Sequence, residues 1–224
     1  MLQRKQSTLT YLDMPSQSGH KGDILVMLHG YGSNEKDLMQ LAPLLDQNLH
    51  FITPRAPLVL APEMYGWFPV EFTQEGITID REAARRTKET LLDFLHDIIA
   101  GYDAREGKIW LMGFSQGAVM SYLTALAEPS LLHGVIALSG QFPESSTLVN
   151  TDPELFRSIP FLVIHGLYDD VLPVTNGRRS ENWLAEHVDL LTYREYAMGH
   201  EINNHALELI KDWLERKRKE KASS

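Results

Sequence analysis

The chain has 224 residues, 43% of them hydrophobic and 23% charged, with a formal net charge of −9 at pH 7 and no cysteine. That length suits a single compact domain around one core, and the negative balance argues against a nucleic-acid partner, because neutralising phosphates takes a concentrated basic surface. The absence of cysteine removes disulfides, thiolate metal sites and a cysteine nucleophile together.

Met1–Thr10 is polar, which speaks against a signal peptide, and no segment approaches the ~20 apolar residues of a membrane span, so a cytoplasmic protein without stable membrane insertion is expected. A first strand is expected around Thr8–Leu12. Asp23–His29 (DILVMLH) is a nearly continuous apolar run ending in Gly30-Tyr31-Gly32, the pattern of a strand buried on both faces of a mostly parallel sheet. A helical pattern covers Glu35–Asp46, with Pro43 inside it as a kink or stop. Leu49–Thr53 reads as the next strand. Pro54–Thr78, with four prolines and the aromatics Tyr65, Trp67, Phe68 and Phe72, reads as an irregular connection of a length that usually lines or covers a site.

Asp80 can cap a helix whose inward positions are Ala84, Thr87, Leu91, Leu95, Ile98 and Tyr102, with Arg81, Arg85, Lys88 and Asp97 facing water. Lys108–Met112 is a strand, Gln116–Ala127 a helix and Gly134–Leu138 another strand. Gln141–Ser158 is a second irregular stretch. Strands at Phe161–His165 and Leu191–Tyr196 flank a helix at Asn176–His187, and a last helix runs over Ile202–Lys219. Its basic end, Arg216–Lys221, is expected to be a solvated terminus that suits the negative end of the helix dipole. Strands alternating with helices in this way predict an α/β fold, a mostly parallel central sheet flanked by helices.

The chemistry gathers around Leu111–Met120, LMGFSQGAVM, where Gly113-Phe114-Ser115-Gln116-Gly117 joins a strand to a helix. This is G-x-S-x-G in the strand–turn–helix setting that gives it meaning, with Ser115 at the apex of a turn that needs glycine on both sides. A serine hydroxyl is a poor nucleophile at neutral pH and needs a base, with a third group to orient that base. In a parallel sheet such groups collect at the carboxyl ends of strands, in the chain order serine, acid, histidine. Asp169 and Asp170 follow one late strand, and either could serve as the acid. His200 follows the next strand. Of the nine histidines, His205 rivals His200 but falls inside the last helical pattern, whereas His50, His96, His133 and His187 read as surface or packing residues.

His200 and His205 also mimic a zinc signature with one residue too many. A spacing of five leaves them about 140° apart around a helix, against about 40° for a spacing of four, so no metal site is expected. Acyl transfer further needs donors aimed at the oxygen that becomes negative. Backbone N–H groups of Gln116, directly after the serine, and of Tyr31, in a loop whose glycines allow close approach, are the candidates.

With these residues in place the sequence resembles the phospholipase/carboxylesterase family of α/β-hydrolases, which includes bacterial carboxylesterases and acyl-protein thioesterases. The likeness runs from about Ile24 to Leu214. It rests on LHGYG at Leu28–Gly32, PRAP followed by GWF at Gly66–Phe68, GFSQGA at Gly113–Ala118, LSG at Leu138–Gly140, HGLYDDVLP at His165–Pro173 and GHE at Gly199–Glu201. The resemblance implies Asp169 rather than Asp170 as the acid, Ser115 as nucleophile, His200 as base, and Tyr31 and Gln116 as the oxyanion hole. Many family members carry leucine where Tyr31 stands, so the tyrosine ring is expected to shape the acyl pocket. The expected activity is hydrolysis of short- to medium-chain carboxylic esters through an acyl-serine, without a cofactor, with Trp67 and Phe68 walling the substrate. An acyl thioesterase or a lysophospholipase is the alternative, and a catalytically silent binding protein on the same fold is the non-enzymatic one. The expected partner is a small-molecule ester, with a homodimer left open.

Overall fold

A computed structural model describes residues 2–19, 22–73, 76–143 and 153–222. In chain order the strands are β1 (Gln3–Gln6), β2 (Thr10–Met14), β3 (Ile24–Leu28), β4 (His50–Pro54), β5 (Leu58–Ala61), β6 (Met64–Gly66), β7 (Val70–Thr73), β8 (Gly76–Ile79), β9 (Ile109–Phe114), β10 (Leu132–Leu138), β11 (Phe161–Gly166) and β12 (Leu191–Tyr196). The α-helices are α1 (Arg81–Gly101), α2 (Gln116–Ala127), α3 (Pro153–Arg157), α4 (Thr175–His187) and α5 (Asn204–Ala222).

Eight strands form one sheet in the order β1-β2-β4-β3-β9-β10-β11-β12. The β1–β2 and β2–β4 pairs are antiparallel, and from β4 to β12 every pair is parallel. The apolar runs of the central strands follow from that position, because successive side chains point to opposite faces and both faces are covered. Ile24, Val26 and Leu28 of β3, with Ile109 and Leu111 of β9, pack under α1 and α2. Leu25, Met27, Trp110 and Met112 from the same strands pack against Leu38, Met39, Ala42 and the α5 residues Ile210, Trp213 and Leu214. This is the α/β-hydrolase arrangement, with α2 buried at the centre of one face.

Helix α1 starts where Asp80 accepts the Ala83 N–H at 2.9 Å, and it buries Ala84, Leu91, Leu95 and Ile98. Lys88, expected to face water, is only 9% exposed; its aliphatic stem lies along the apolar face while Nζ meets Glu89 at 3.1 Å. The basic end of α5 departs in the same sense. Arg218, 12% exposed at its side chain, pairs with Asp23 at 2.7 Å and with Asp46, where a solvated terminus was expected.

Three local expectations are corrected. The helical pattern expected over Glu35–Asp46 is realised only as a 3-10 helix at Leu38–Leu44, with Pro43 inside it, whose missing N–H and ring oppose a longer regular helix. Pro54–Thr78 is not irregular: β5–β6 and β7–β8 are short antiparallel hairpins. The early strand is shifted to Thr10–Met14 and has a partner, β1, that was not expected. Within the expected loop Gln141–Ser158, residues 144–152 lie outside the described residues, and Pro153–Arg157 is helical. No helix among the described residues is long and apolar enough to cross a membrane.

Candidate active site

Ser115 sits between β9 and α2 at φ 56°, ψ −117°, a conformation costly to a residue with a side chain. The tightness of the turn has a visible cause. A Cβ on Gly113 would run into the Gly117 carbonyl, and one on Gly117 into the Leu28 carbonyl, so the G-x-S-x-G glycines let strand, helix and β3 approach one another. The Ser115 N–H is tied to the Leu138 carbonyl at 2.8 Å. The hydroxyl is thereby held at the carboxyl edge of the sheet, beside the first turn of α2.

Strands β11 and β12 end at the same edge. Asp169 follows β11, and its Oδ1 accepts the N–H groups of Val171 at 3.0 Å and Leu172 at 2.7 Å. That leaves Oδ2, which meets His200 Nδ1 at 2.8 Å. His200, on the loop after β12, places Nε2 2.9 Å from Ser115 Oγ, and its ring packs against Phe114 at 4.9 Å. With the carboxylate fixing the proton on Nδ1, Nε2 is free to accept the serine proton. Asp170 is exposed, and His205 is an exposed residue of α5 stacked on Tyr196. Among the described residues no group of three or more His, Asp or Glu side chains could hold a metal ion.

Behind Asp169 stands a residue that the sequence reading did not weigh. His165, fully buried on β11, donates from Nε2 to the Leu172 carbonyl at 2.7 Å and lies 3.5 Å from Asp169 Oδ2. Burial lowers its pKa, so it is a neutral strut for the acid-bearing turn. The HG pair that opens HGLYDD was the available signal.

The loop after β3 closes the other side. A Cβ on Gly30 would come 3.3 Å from Ser115 Cβ, so the loop passes directly over the serine. His29 props it: Nε2 accepts the Ala56 N–H at 3.1 Å, which puts the ring proton on Nδ1, and Nδ1–H donates to the Gly30 carbonyl at 2.8 Å. Burial lowers the His29 pKa and keeps the ring neutral. Tyr31 and Gln116 thus flank Ser115 from two separate segments. Gln116 opens α2, and as the first helical residue its N–H has no acceptor within the helix.

These groups open onto a cavity of about 280 Å³. Ser115, Gln116, Gln141 and His200 line it together with Tyr31, Phe68, Val70, Val119, Val171 and Leu172. Of the two expected wall residues only Phe68 lines it. Trp67 is 1% exposed and points back into the fold, where its indole N–H donates to the His29 carbonyl at 2.9 Å. Val119 was legible in principle, since it stands four residues after Ser115 on the same helical face. Val171 and Leu172, which also line the cavity, are the residues whose N–H groups bond to Asp169.

The sequence from residue 11 to 217 matches the family model described as Phospholipase/Carboxylesterase. The chain belongs to the phospholipase/carboxylesterase family.

Within or near this family, acyl-protein thioesterase 1 of Emericella nidulans is 27% identical, over 91% of this chain and 93% of that protein. Carboxylesterase SOBER1 of Arabidopsis thaliana is 26% identical, over 89% and 92% respectively. The crystal structure of esterase PE8 superposes with a TM-score of 0.74 at 29% identity, covering 96% of this chain and 98% of that one. The stretch that matches the phospholipase/carboxylesterase model contains every residue that meets at the carboxyl edge of the sheet.

Proposed function

We propose that the chain is a serine carboxylesterase acting on short- to medium-chain esters. One observation carries the reading: the hydrogen-bonded line Ser115–His200–Asp169, with contacts of 2.9 and 2.8 Å, ends in an apolar cavity. His200 Nε2 removes the Ser115 proton as Oγ attacks the ester carbonyl, and the carbonyl electron pair moves onto oxygen. The N–H groups of Tyr31 and Gln116 hold that oxyanion, and Asp169 stabilises the imidazolium without taking its proton. Collapse expels the alcohol, which receives the proton from His200. A water deprotonated by the same nitrogen then releases the acid and frees Ser115. The chemistry needs no cofactor.

The cavity volume of about 280 Å³ is at the small end for ligand pockets, which favours a short or medium acyl chain over a long one. The same attack serves a thioester, and several relatives bear the name acyl-protein thioesterase 1. Rates on p-nitrophenyl acetate, butyrate, octanoate and palmitate, beside the butyryl thioester, test the reading. Butyrate or octanoate should be the best esters. A palmitate optimum contradicts the assigned chain length, a much faster thioester shifts the assignment to a thioesterase, and inertness towards all of them favours a silent binding protein.

A further inference from the structure

The esterase reading needs two N–H donors that belong to different parts of the chain. Both must lie about 2.7–3.1 Å from one oxygen, although Tyr31 is on the loop after β3 and Gln116 is on α2. The two segments meet where Gly30 passes Ser115 and Gly117 packs on the Leu28 carbonyl, contacts that lie beside the two donors and include neither side chain. Residues 65–68 touch both.

On the Tyr31 side they bond to the residues before and after it. The Trp67 indole N–H donates to the His29 carbonyl at 2.9 Å. The Gly32 N–H donates to the Tyr65 carbonyl at 2.8 Å, and the Tyr65 N–H to the Ser33 carbonyl at 2.8 Å. The Tyr31 ring lies on Gly66, where a Cβ would come 2.8 Å from Tyr31 Cδ2. On the other side, the Gln116 side chain takes both ends of its amide to the same segment. Oε1 accepts the Trp67 N–H at 2.7 Å and Nε2–H donates to the Phe68 carbonyl at 2.7 Å.

Packing alone does not account for these choices. Gln116 is 5% and Trp67 1% exposed; methionine and phenylalanine would fill the space but leave the buried Trp67 N–H and the Phe68 and His29 carbonyls without these partners. What the polar groups add is a fixed register between the two loops. We propose that Trp67 and the side chain of Gln116 are positioning residues that set the spacing of the oxyanion donors. The assignment deepens the esterase reading and rests on it. It also replaces the expected substrate-wall role of Trp67.

The test uses Trp67→Phe and Gln116→Met, which remove the bonds but keep both backbone N–H donors and most of the volume. Two inhibitors separate the states: a butyl trifluoromethyl ketone, which forms a hemiketal oxyanion on Ser115, and the matching alcohol, which cannot. Thermal melts establish that each variant is folded. The expected result is a loss of about 10- to 100-fold in kcat/KM on p-nitrophenyl butyrate. Ketone affinity should weaken by the same factor while alcohol affinity stays at the wild-type value, and the double variant should be little worse than the worse single one. Unchanged ketone affinity in folded variants overturns the proposal. Equal loss of ketone and alcohol overturns it too, in favour of a substrate wall. Should Trp67→Phe fail to fold, Gln116→Met decides alone. A wild-type protein that neither hydrolyses esters nor takes a fluorophosphonate overturns the esterase reading and this proposal with it; an active wild type leaves only the proposal at stake.

Discussion

Asp169 and Asp170 are neighbours in sequence with opposite surroundings. The first has both carboxylate oxygens committed, one to two backbone N–H groups and the other to His200; the second is exposed. In Asp169→Asn an amide faces the ring and favours the wrong imidazole tautomer, so kcat on p-nitrophenyl butyrate should fall by about 10³- to 10⁴-fold. Asp170→Asn should stay within about twofold, in line with an exposed surface change. The reverse ranking would show that the acid is misassigned. Ser115 and His200 were legible from the glycine spacing and from chain order, whereas the choice between the two carboxylates needed the family likeness. The position of Trp67 was not legible, because the carbonyl that its indole meets lies 38 residues earlier and an aromatic beside a proline-rich stretch looks the same facing in or out.

Elements were legible in proportion to their burial. The parallel strands β3, β9, β10 and β11 are buried along nearly all their length and read as apolar runs. The hairpin strands span only three or four residues, too few for an alternation to stand out from the prolines. Strand β1 (QRKQ) is polar and mostly exposed, and a side-chain cluster adds to its backbone pairing with β2. Asp13 of β2, 1% exposed, binds Lys5 of β1, His50 of β4 and, at 2.8 Å, the Tyr102 hydroxyl after α1. Burial pushes the Asp13 pKa up, but the hydrogen bonds from His50, Lys5 and Tyr102 outweigh it and hold the value at about 2. An unfolded aspartate titrates near 3.9, so between those values the unfolded chain binds a proton that the folded chain does not. This contribution is complete above about pH 4 and drains away as pH falls towards 2, by about 2 kcal/mol. Urea midpoints between pH 5 and pH 2 should fall less steeply for Asp13→Asn, which starts lower, than for wild type; parallel curves would contradict the pKa assignment.

At the scale of the whole molecule, the sheet gathers Tyr31, Ser115, Asp169 and His200 at one edge because β3, β9, β11 and β12 all run the same way. Alternating strands and helices made that edge legible before the strand order was known. The closing of the far side was not. Arg218, near the end of α5, reaches Asp23 at 2.7 Å across 195 residues and also binds Asp46, while Arg105 meets Asp23 at 3.0 Å. A basic run in the sequence carries no sign that one of its members is largely buried against acids so distant. Arg218→Ala leaves Asp23 and Asp46 short of a partner and should lower unfolding free energy by about 2 kcal/mol, read by urea denaturation, with ester turnover unchanged. Undiminished stability would mean that the pairs are balanced by their desolvation.

Sheet edge, turn and hydrogen-bonded line all converge on Ser115 as an activated nucleophile. Fluorophosphonate labelling followed by peptide mapping addresses that role directly. The expected result is one covalent adduct, on Ser115, absent from Ser115→Ala, whose ester hydrolysis is lost while its fold is kept; an unlabelled wild type, an adduct on another residue, or wild-type turnover by Ser115→Ala would contradict the account.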